Sequence, residues 1–132
     1  DFPAVAEQIA DPHLKALIVG SPVHYANMST LCKAFIDRLG QAFRKEFNLS
    51  GKLAGTLAVG AARNGGQEYV LHSIQRALMC HEMMVVGDGR PTGHFGAILW
   101  NNSGKDDIAT DEFGVKTAQN LGRHIAELAL RL

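Results

Sequence analysis

The sequence lacks the features that mark several large classes of protein. Its 132 residues carry 13 Lys and Arg against 13 Asp and Glu, mixed along the chain without the basic block that a nucleic-acid partner requires. No uncharged apolar run approaches the ~20 residues of a membrane span, and no basic-then-apolar signal segment opens these residues. We therefore expect a cytoplasmic protein that binds neither nucleic acid nor membrane.

Cysteine is also scarce. Cys32 and Cys80 stand alone and neither belongs to a CxxC pair, so zinc and iron–sulfur ligation have no support and no metal site is expected. Cys32 falls at helical spacing among apolar residues, which predicts a buried side chain. The GxSxG nucleophile elbow, the HExxH zinc motif and the Walker phosphate loop are all missing, which argues against the enzyme classes that use them.

What is present is the composition of one globular domain, assigned to residues 1–132. Apolar residues make up 46% and charged residues 20% of the chain. Periodicity predicts strands and helices in alternation, and this order gives a parallel sheet with helices on both faces. The predicted elements are a helix ending near Ala10, a strand Leu14–Val19, a helix Met28–Leu39, a strand 56–59, a helix 67–79, a strand 83–87, a short apolar run 97–100, and a last helix capped by Asp111.

Two loops at the carboxyl ends of predicted strands are the candidate ligand sites, since open α/β sheets bind ligands there. In the first, Gly20-Ser21-Pro22 is predicted to turn sharply after Val19. His24 and Tyr25 follow, and this aromatic pair could flank a planar ring. An ordinary turn with incidental aromatic residues is the alternative.

The second loop runs from Gly60 to Glu68 and leads directly into a helix. Its three glycines predict a concavity lined by backbone, to which the helix N-terminus adds the positive end of a dipole. Taken alone, this loop is equally a structural turn or a site for an anion or a ring. Three histidines, His24, His81 and His94, lie beside predicted strands, although a lone histidine is more often a structural polar group.

Together, four segments resemble the flavodoxin-like NAD(P)H-dependent FMN reductases, a family with quinone oxidoreductase and iron–sulfur flavoprotein relatives. The segments cover nearly all of the chain, and their order and spacing make the match specific. They are Gly-Ser-Pro-Val-His-Tyr-Ala-Asn-Met-Ser at 20–29 running into Lys33–Leu39, Asn-Gly-Gly-Gln-Glu at 64–68, His-Glu-Met at 81–83, and Gly-His-Phe-Gly-Ala at 93–97.

The resemblance implies FMN as cofactor, NAD(P)H as cosubstrate and a quinone or similar small molecule as acceptor. His81 and the His94–Phe95 pair match positions on the nicotinamide or acceptor side, often across a subunit contact, which implies catalytic roles for both histidines and a homo-oligomer, a dimer or tetramer. The residues that match flavin-binding positions are Ser21, Pro22, Val23, His24, Tyr25 and Asn27 in the first loop, and Ala62, Arg63, Asn64, Gly65, Gly66 and Gln67 in the second.

Three departures from the family shape these expectations. The family begins with a strand and a Ser/Thr-rich loop that holds the FMN phosphate, and the present sequence has neither. We expect the C-terminal portion of the fold, lacking the first one or two strands, with Leu14–Val19 as an edge that another chain or the lost segment covers. The cysteine cluster of the iron–sulfur branch would also lie upstream, so cluster binding is not inferred. Cys80-His81-Glu82-Met83 replaces the His-His-Gly-Met of many relatives, which weakens an acid–base role there.

Two alternatives to a reductase remain open. A non-enzymatic flavin-binding electron carrier shares the fold and needs no substrate pocket. A truncated fragment would keep the fold without binding FMN, because the phosphate grip of the family is absent.

Overall fold

The computed structural model describes residues 2–132 and contains four helices and five strands within that range. Most of the predicted elements are present at or near their predicted positions. In chain order they are α1 (Phe2–Ile9), β1 (Ala16–His24), β2 (Asn27–Met28), α2 (Thr30–Phe43), β3 (Leu53–Gly60), α3 (Gln67–Met79), β4 (Met84–Val85), β5 (Ala97–Trp100) and α4 (Glu112–Ala129), with two short 3₁₀ turns between β5 and α4.

The sheet is parallel except for the two-residue strand β2. β1 pairs with β3 from Ala16↔Leu53 to Pro22↔Val59. The other edge of β3 is shared, because β4 pairs at its start and β5 at its end. The segment 86–96, which we call the excursion, therefore leaves and rejoins the same edge of one strand.

Helices cover both faces of this sheet, as predicted. On one face, α1, α2 and α3 pack on Val19, Ala54 and Ala58 through a cluster of buried apolar side chains. On the other face, α4 packs Leu121 and Ile125 on β5 and on the alternate residues of β3. This division follows from the strand geometry, since successive side chains of a strand point to opposite faces.

The last helix is fixed to β5 by side-chain hydrogen bonds. Asp111 caps α4 as predicted, accepting from Gly114 N–H at 3.0 Å and from Trp100 N–H at 3.0 Å. Thr117 Oγ1 accepts from Ile98 N–H at 3.0 Å. Within residues 2–132, neither α4 nor any other helix combines the length and apolar character needed to cross a membrane.

The predicted sharp turn after Val19 is wrong. β1 continues through Gly20, Ser21 and Pro22, which pair in register with Leu57, Ala58 and Val59. A proline is tolerated there because β1 is an edge strand. The chain turns only at Tyr25 and Ala26, and the hairpin that follows pairs His24 with Asn27.

The outer edge of β1 carries a strand partner only at Val23 and His24, where β2 pairs. From Ala16 to Pro22, no other described strand lies beside it, so the prediction that the Leu14–Val19 run is an edge is confirmed. An apolar groove of about 640 Å³ follows this edge, lined in part by Leu17, Leu31 and Phe35. The groove lies between the sheet edge and α2.

Candidate active site

The two predicted loops meet at the carboxyl ends of β1 and β3. Gly66, at the end of the second loop, has φ of 103°, a value that disfavours any residue with a Cβ. A Cβ placed on Gly66 would lie 2.9 Å from both Cα and Cβ of Ala26 in the hairpin turn. The structure therefore brings the hairpin and the glycine loop into direct backbone contact.

The hairpin displays Tyr25 at its tip. Tyr25 and Ala26 have φ of 49° and 58°, a strained backbone conformation for residues other than glycine. The Tyr25 side chain is fully exposed. Val23, His24 and Tyr25 line an open cavity of about 640 Å³ together with Met28 and Thr30, so three of the predicted flavin-binding residues share one concave surface.

Ser21 and Asn27 support this hairpin through hydrogen bonds between their side chains and the backbone. Ser21 is buried, and its Oγ accepts from Ser29 N–H at 2.9 Å and donates to Pro22 O at 2.8 Å. Ser29 in turn caps α2 by accepting from Cys32 N–H at 3.2 Å. Asn27 Oδ1 accepts from Met28 N–H at 2.8 Å. Ser21 thus holds the loop that carries Tyr25, whereas the exposed Asn27 bonds only its neighbour Met28.

Gln67 plays the same internal part in the glycine loop. Its side chain is 5% exposed, and Nε2 donates to Ala62 O at 2.7 Å and to Leu99 O at 3.2 Å. Its Oε1 accepts from Gly65 N–H at 2.9 Å. The N–H of Gly65 is therefore bound within the protein, and the exposed part of the loop is Ala61 to Asn64.

Arg63 points away from the hairpin, toward the end of β5. Its guanidinium carbon lies 4.8 Å from the centre of the Trp100 ring, in the range of a cation–π contact. Asn101 N–H donates to Gly60 O at 3.1 Å and Ser103 N–H donates to Ala61 O at 2.7 Å, which dock the loop after β5 onto the glycine loop. Trp100 was not among the predicted site residues, although its position at the carboxyl end of a predicted strand was a usable signal.

His94 and Phe95 lie on the excursion and point to opposite faces of the sheet. The His94 ring packs edge-on against the ring of Phe113 in α4, with 5.5 Å between the ring centres. The Phe95 ring contacts His72 of α3 at 4.6 Å. The base of the excursion is held by Asp88, which is 0% exposed and accepts from the Thr92 hydroxyl and from His94 N–H.

His81 is not brought to the loops within one chain. It follows the C-terminal end of α3, while Gly66 precedes the first residue of that 13-residue helix, so the two are separated by about 20 Å at the usual rise per residue. Its side chain is 3% exposed, and Nδ1 has no hydrogen-bond partner in the described part of the chain. Burial lowers the pKa of His81, and the positive charge of Arg44 lowers it further.

This depressed pKa predicts a pH-dependent stability. The unfolded chain binds a proton at His81 near the ordinary value of 6.5, whereas the folded chain keeps the imidazole neutral to lower pH. Because the unfolded state then holds more protons, the free energy of unfolding should fall as the pH drops below about 6.5 and should not change above it. Urea unfolding of the chain and of His81→Gln across that range measures this, and an equal loss in both proteins would contradict it.

The chain is similar in sequence to known flavoproteins. Residues 1–96 match the family model described as NADPH-dependent FMN reductase. An iron–sulfur flavoprotein of Methanocaldococcus jannaschii is 41% identical over 85% of the chain and 57% of its own length. An NAD(P)H dehydrogenase (quinone) of Chromohalobacter salexigens is 31% identical over 89% of the chain and 63% of its own length.

The fold is similar to that of solved flavodoxin-like structures. The flavodoxin, WrbA-like protein from Agrobacterium tumefaciens superposes with a TM-score of 0.72 at 19% identity, over 89% of this chain and 67% of that one. The predicted flavodoxin-like class is thereby confirmed. The chain spans about half the length of the first curated relatives that it matches.

Proposed function

Because the chain belongs to the NADPH-dependent FMN reductase family, we propose that it is an FMN-dependent oxidoreductase that takes a hydride from NAD(P)H and passes electrons to a small acceptor such as a quinone. The contact between Gly66 and Ala26 is the observation that carries this proposal. It joins an aromatic hairpin and a glycine loop into one surface at the carboxyl edge of the sheet, where doubly wound folds bind their ligands.

This surface fits a planar ring with one polar edge. Two glycines allow the close packing of the two loops: a Cβ on Gly65 would lie 3.0 Å from Ala62 O, and one on Gly66 would lie 2.9 Å from Ala26. The N-terminus of α3 contributes the positive end of its dipole. Pro22, Val23 and Tyr25 supply the apolar border in this arrangement, and the exposed backbone of residues 62–64 faces the polar edge.

FMN, when bound, accepts a hydride from a reduced nicotinamide and releases electrons to an acceptor. The residues of this chain bind and orient the ring and limit the access of water. The excursion that carries His94 and Phe95 is proposed to border the acceptor across a subunit contact in a homo-oligomer. Large apolar side chains are exposed, among them Leu31, Phe113 and Leu130, and they support the association of copies of the chain. Sedimentation of the purified chain measures its oligomeric state.

Titration with FMN followed by anaerobic addition of NADPH and NADH tests the proposal. Binding shifts the visible spectrum of FMN, and the nucleotide should then bleach it. Restored absorbance on addition of a quinone would support the acceptor. Binding without bleaching by either nucleotide would favour the electron carrier, and no binding would favour the fragment.

Tyr25→Ala should weaken FMN binding about fivefold, because it removes an aromatic contact of about 1 kcal/mol. Alanine keeps the same left-handed backbone demand as tyrosine, so the turn itself changes little. Fluorescence titration measures the affinity, with Phe47→Ala as the matched control, since Phe47 is also an aromatic residue with a positive φ but lies between α2 and β3. Equal affinities for Tyr25→Ala and the parent chain would remove Tyr25 from the ring site.

A further inference from the structure

The amide of Gln67 has a single possible orientation. Carbonyl oxygens only accept hydrogen bonds, so the contacts of Nε2 with Ala62 O and Leu99 O use both of its protons. Oε1 must then face Gly65 N–H, as the structure has it. With the side chain 5% exposed, no donor of this amide remains for a ligand.

Gly60 makes room for this amide. A Cβ on Gly60 would overlap Nε2 of Gln67 and would also lie 3.1 Å from Ala62 O. The two positions therefore form a matched pair in which the absence of a side chain at one admits the side chain of the other. The pair connects the C-terminal end of β3 to β5, because Gln67 Nε2 donates to the carbonyl of Leu99, 32 residues further along the chain.

We propose that Gln67 is a positioning residue that fixes the path of the 60–66 loop and does not touch the flavin, an inference that rests on the proposed function for its consequence in catalysis. Its three hydrogen bonds set where Ala62 and Gly65 lie relative to β5. These bonds thereby fix the position of the exposed residues 62–64, whose backbone would face the polar edge of a ring. A loop that is already ordered does not pay the entropy of ordering when the ligand binds.

The test begins on the flavin-free chain with Gln67→Ala. Amide hydrogen exchange of Gly65 should accelerate at least about tenfold, since its acceptor is gone, while the buried α3 residues Leu71 and Ile74 keep the exchange rates of the parent chain. The FMN dissociation constant should rise about tenfold. Unchanged exchange at Gly65 would overturn the proposal, whether or not FMN binds, so its failure is distinct from failure of the proposed function.

Gln75→Met is the matched control. Gln75 is also a buried amide on α3, but it donates to Thr56 Oγ1 and Phe95 O and not to the loop. Its replacement should lower stability and leave Gly65 exchange unchanged relative to that stability. Should Gln67→Ala fail to fold, Gln67→Met fills the volume without the hydrogen bonds and carries the same expectation.

A double-mutant cycle with Gly60→Ala completes the test. Gly60→Ala should raise the FMN dissociation constant about tenfold by displacing the amide. In the Gln67→Ala background there is no amide to displace, so the double variant should also be about tenfold weaker and not a hundredfold. Additive effects would show that the two positions act independently and would overturn the pairing.

Discussion

Replacing Gly66 with valine is expected to raise the FMN dissociation constant by about a hundredfold or more. The φ of 103° at Gly66 is unfavourable for a β-branched residue. The new Cβ would also lie 2.9 Å from the backbone of Ala26, so either the hairpin or the start of α3 must move. Both are walls of the proposed ring site, and the site should open before the core of the fold is lost.

Gly51→Val separates backbone strain from this contact. Gly51 has φ of 73°, but a Cβ there meets no atom within 4 Å. It lies just before the start of β3, at the end of the sheet opposite to the candidate site. Valine at this position should reduce stability by about 1–2 kcal/mol with FMN affinity retained. Equilibrium dialysis with FMN and thermal unfolding of both variants measure the two effects. Wild-type flavin content in Gly66→Val would show that the loop is only a turn.

The second large effect is expected at Asp88. Its carboxylate is completely buried and accepts from the Thr92 hydroxyl and from His94 N–H. Asp88→Ala removes a buried acceptor from two partly buried donors, which should cost about 3 kcal/mol of the free energy of unfolding. The His94 backbone should become more mobile, because it keeps the bond from Asp88 N–H to His94 O but loses the bond to the carboxylate.

Urea unfolding of Asp88→Ala measures the cost, and hydrogen exchange at the His94 amide shows whether the excursion has loosened. Asp107→Ala is the control, since Asp107 also accepts from a backbone N–H, that of Ala109, at an exposed site. There the loss should stay below about 1 kcal/mol. Similar costs for both variants would mean that burial of the Asp88 carboxylate contributes nothing.

The sequence allowed the fold to be predicted because local patterns and global topology agree. Helical periodicity located α2, α3 and α4, and apolar runs located β1, β3 and β5. The end of β1 was misjudged because glycine and proline were interpreted as turn residues. Their pairing with Leu57 and Val59, more than 30 residues away in sequence, is a tertiary effect that overrides local preference.

Side-chain direction in the candidate site could not be predicted in the same way. The composition of the glycine loop predicted a concavity, and the structure shows that this loop packs against the hairpin turn through Gly66 and Ala26. That Gln67 turns inward to Leu99 and Arg63 outward to Trp100 depends on where β5 lies. His81 is different, because the predicted helix over 67–79 already implied its place beyond the far end of α3.

The excursion offers a natural place for grafting new sequence. Its two ends are anchored on one strand, with Val86 N–H bonded to Ala54 O and Ala97 paired with Leu57. A longer insert between these anchors would add only a loop-closure cost that grows slowly with length. The pairing of β3 with β4 and β5 would keep its register. Changes of sequence within the excursion should therefore leave the hairpin and the glycine loop as they are.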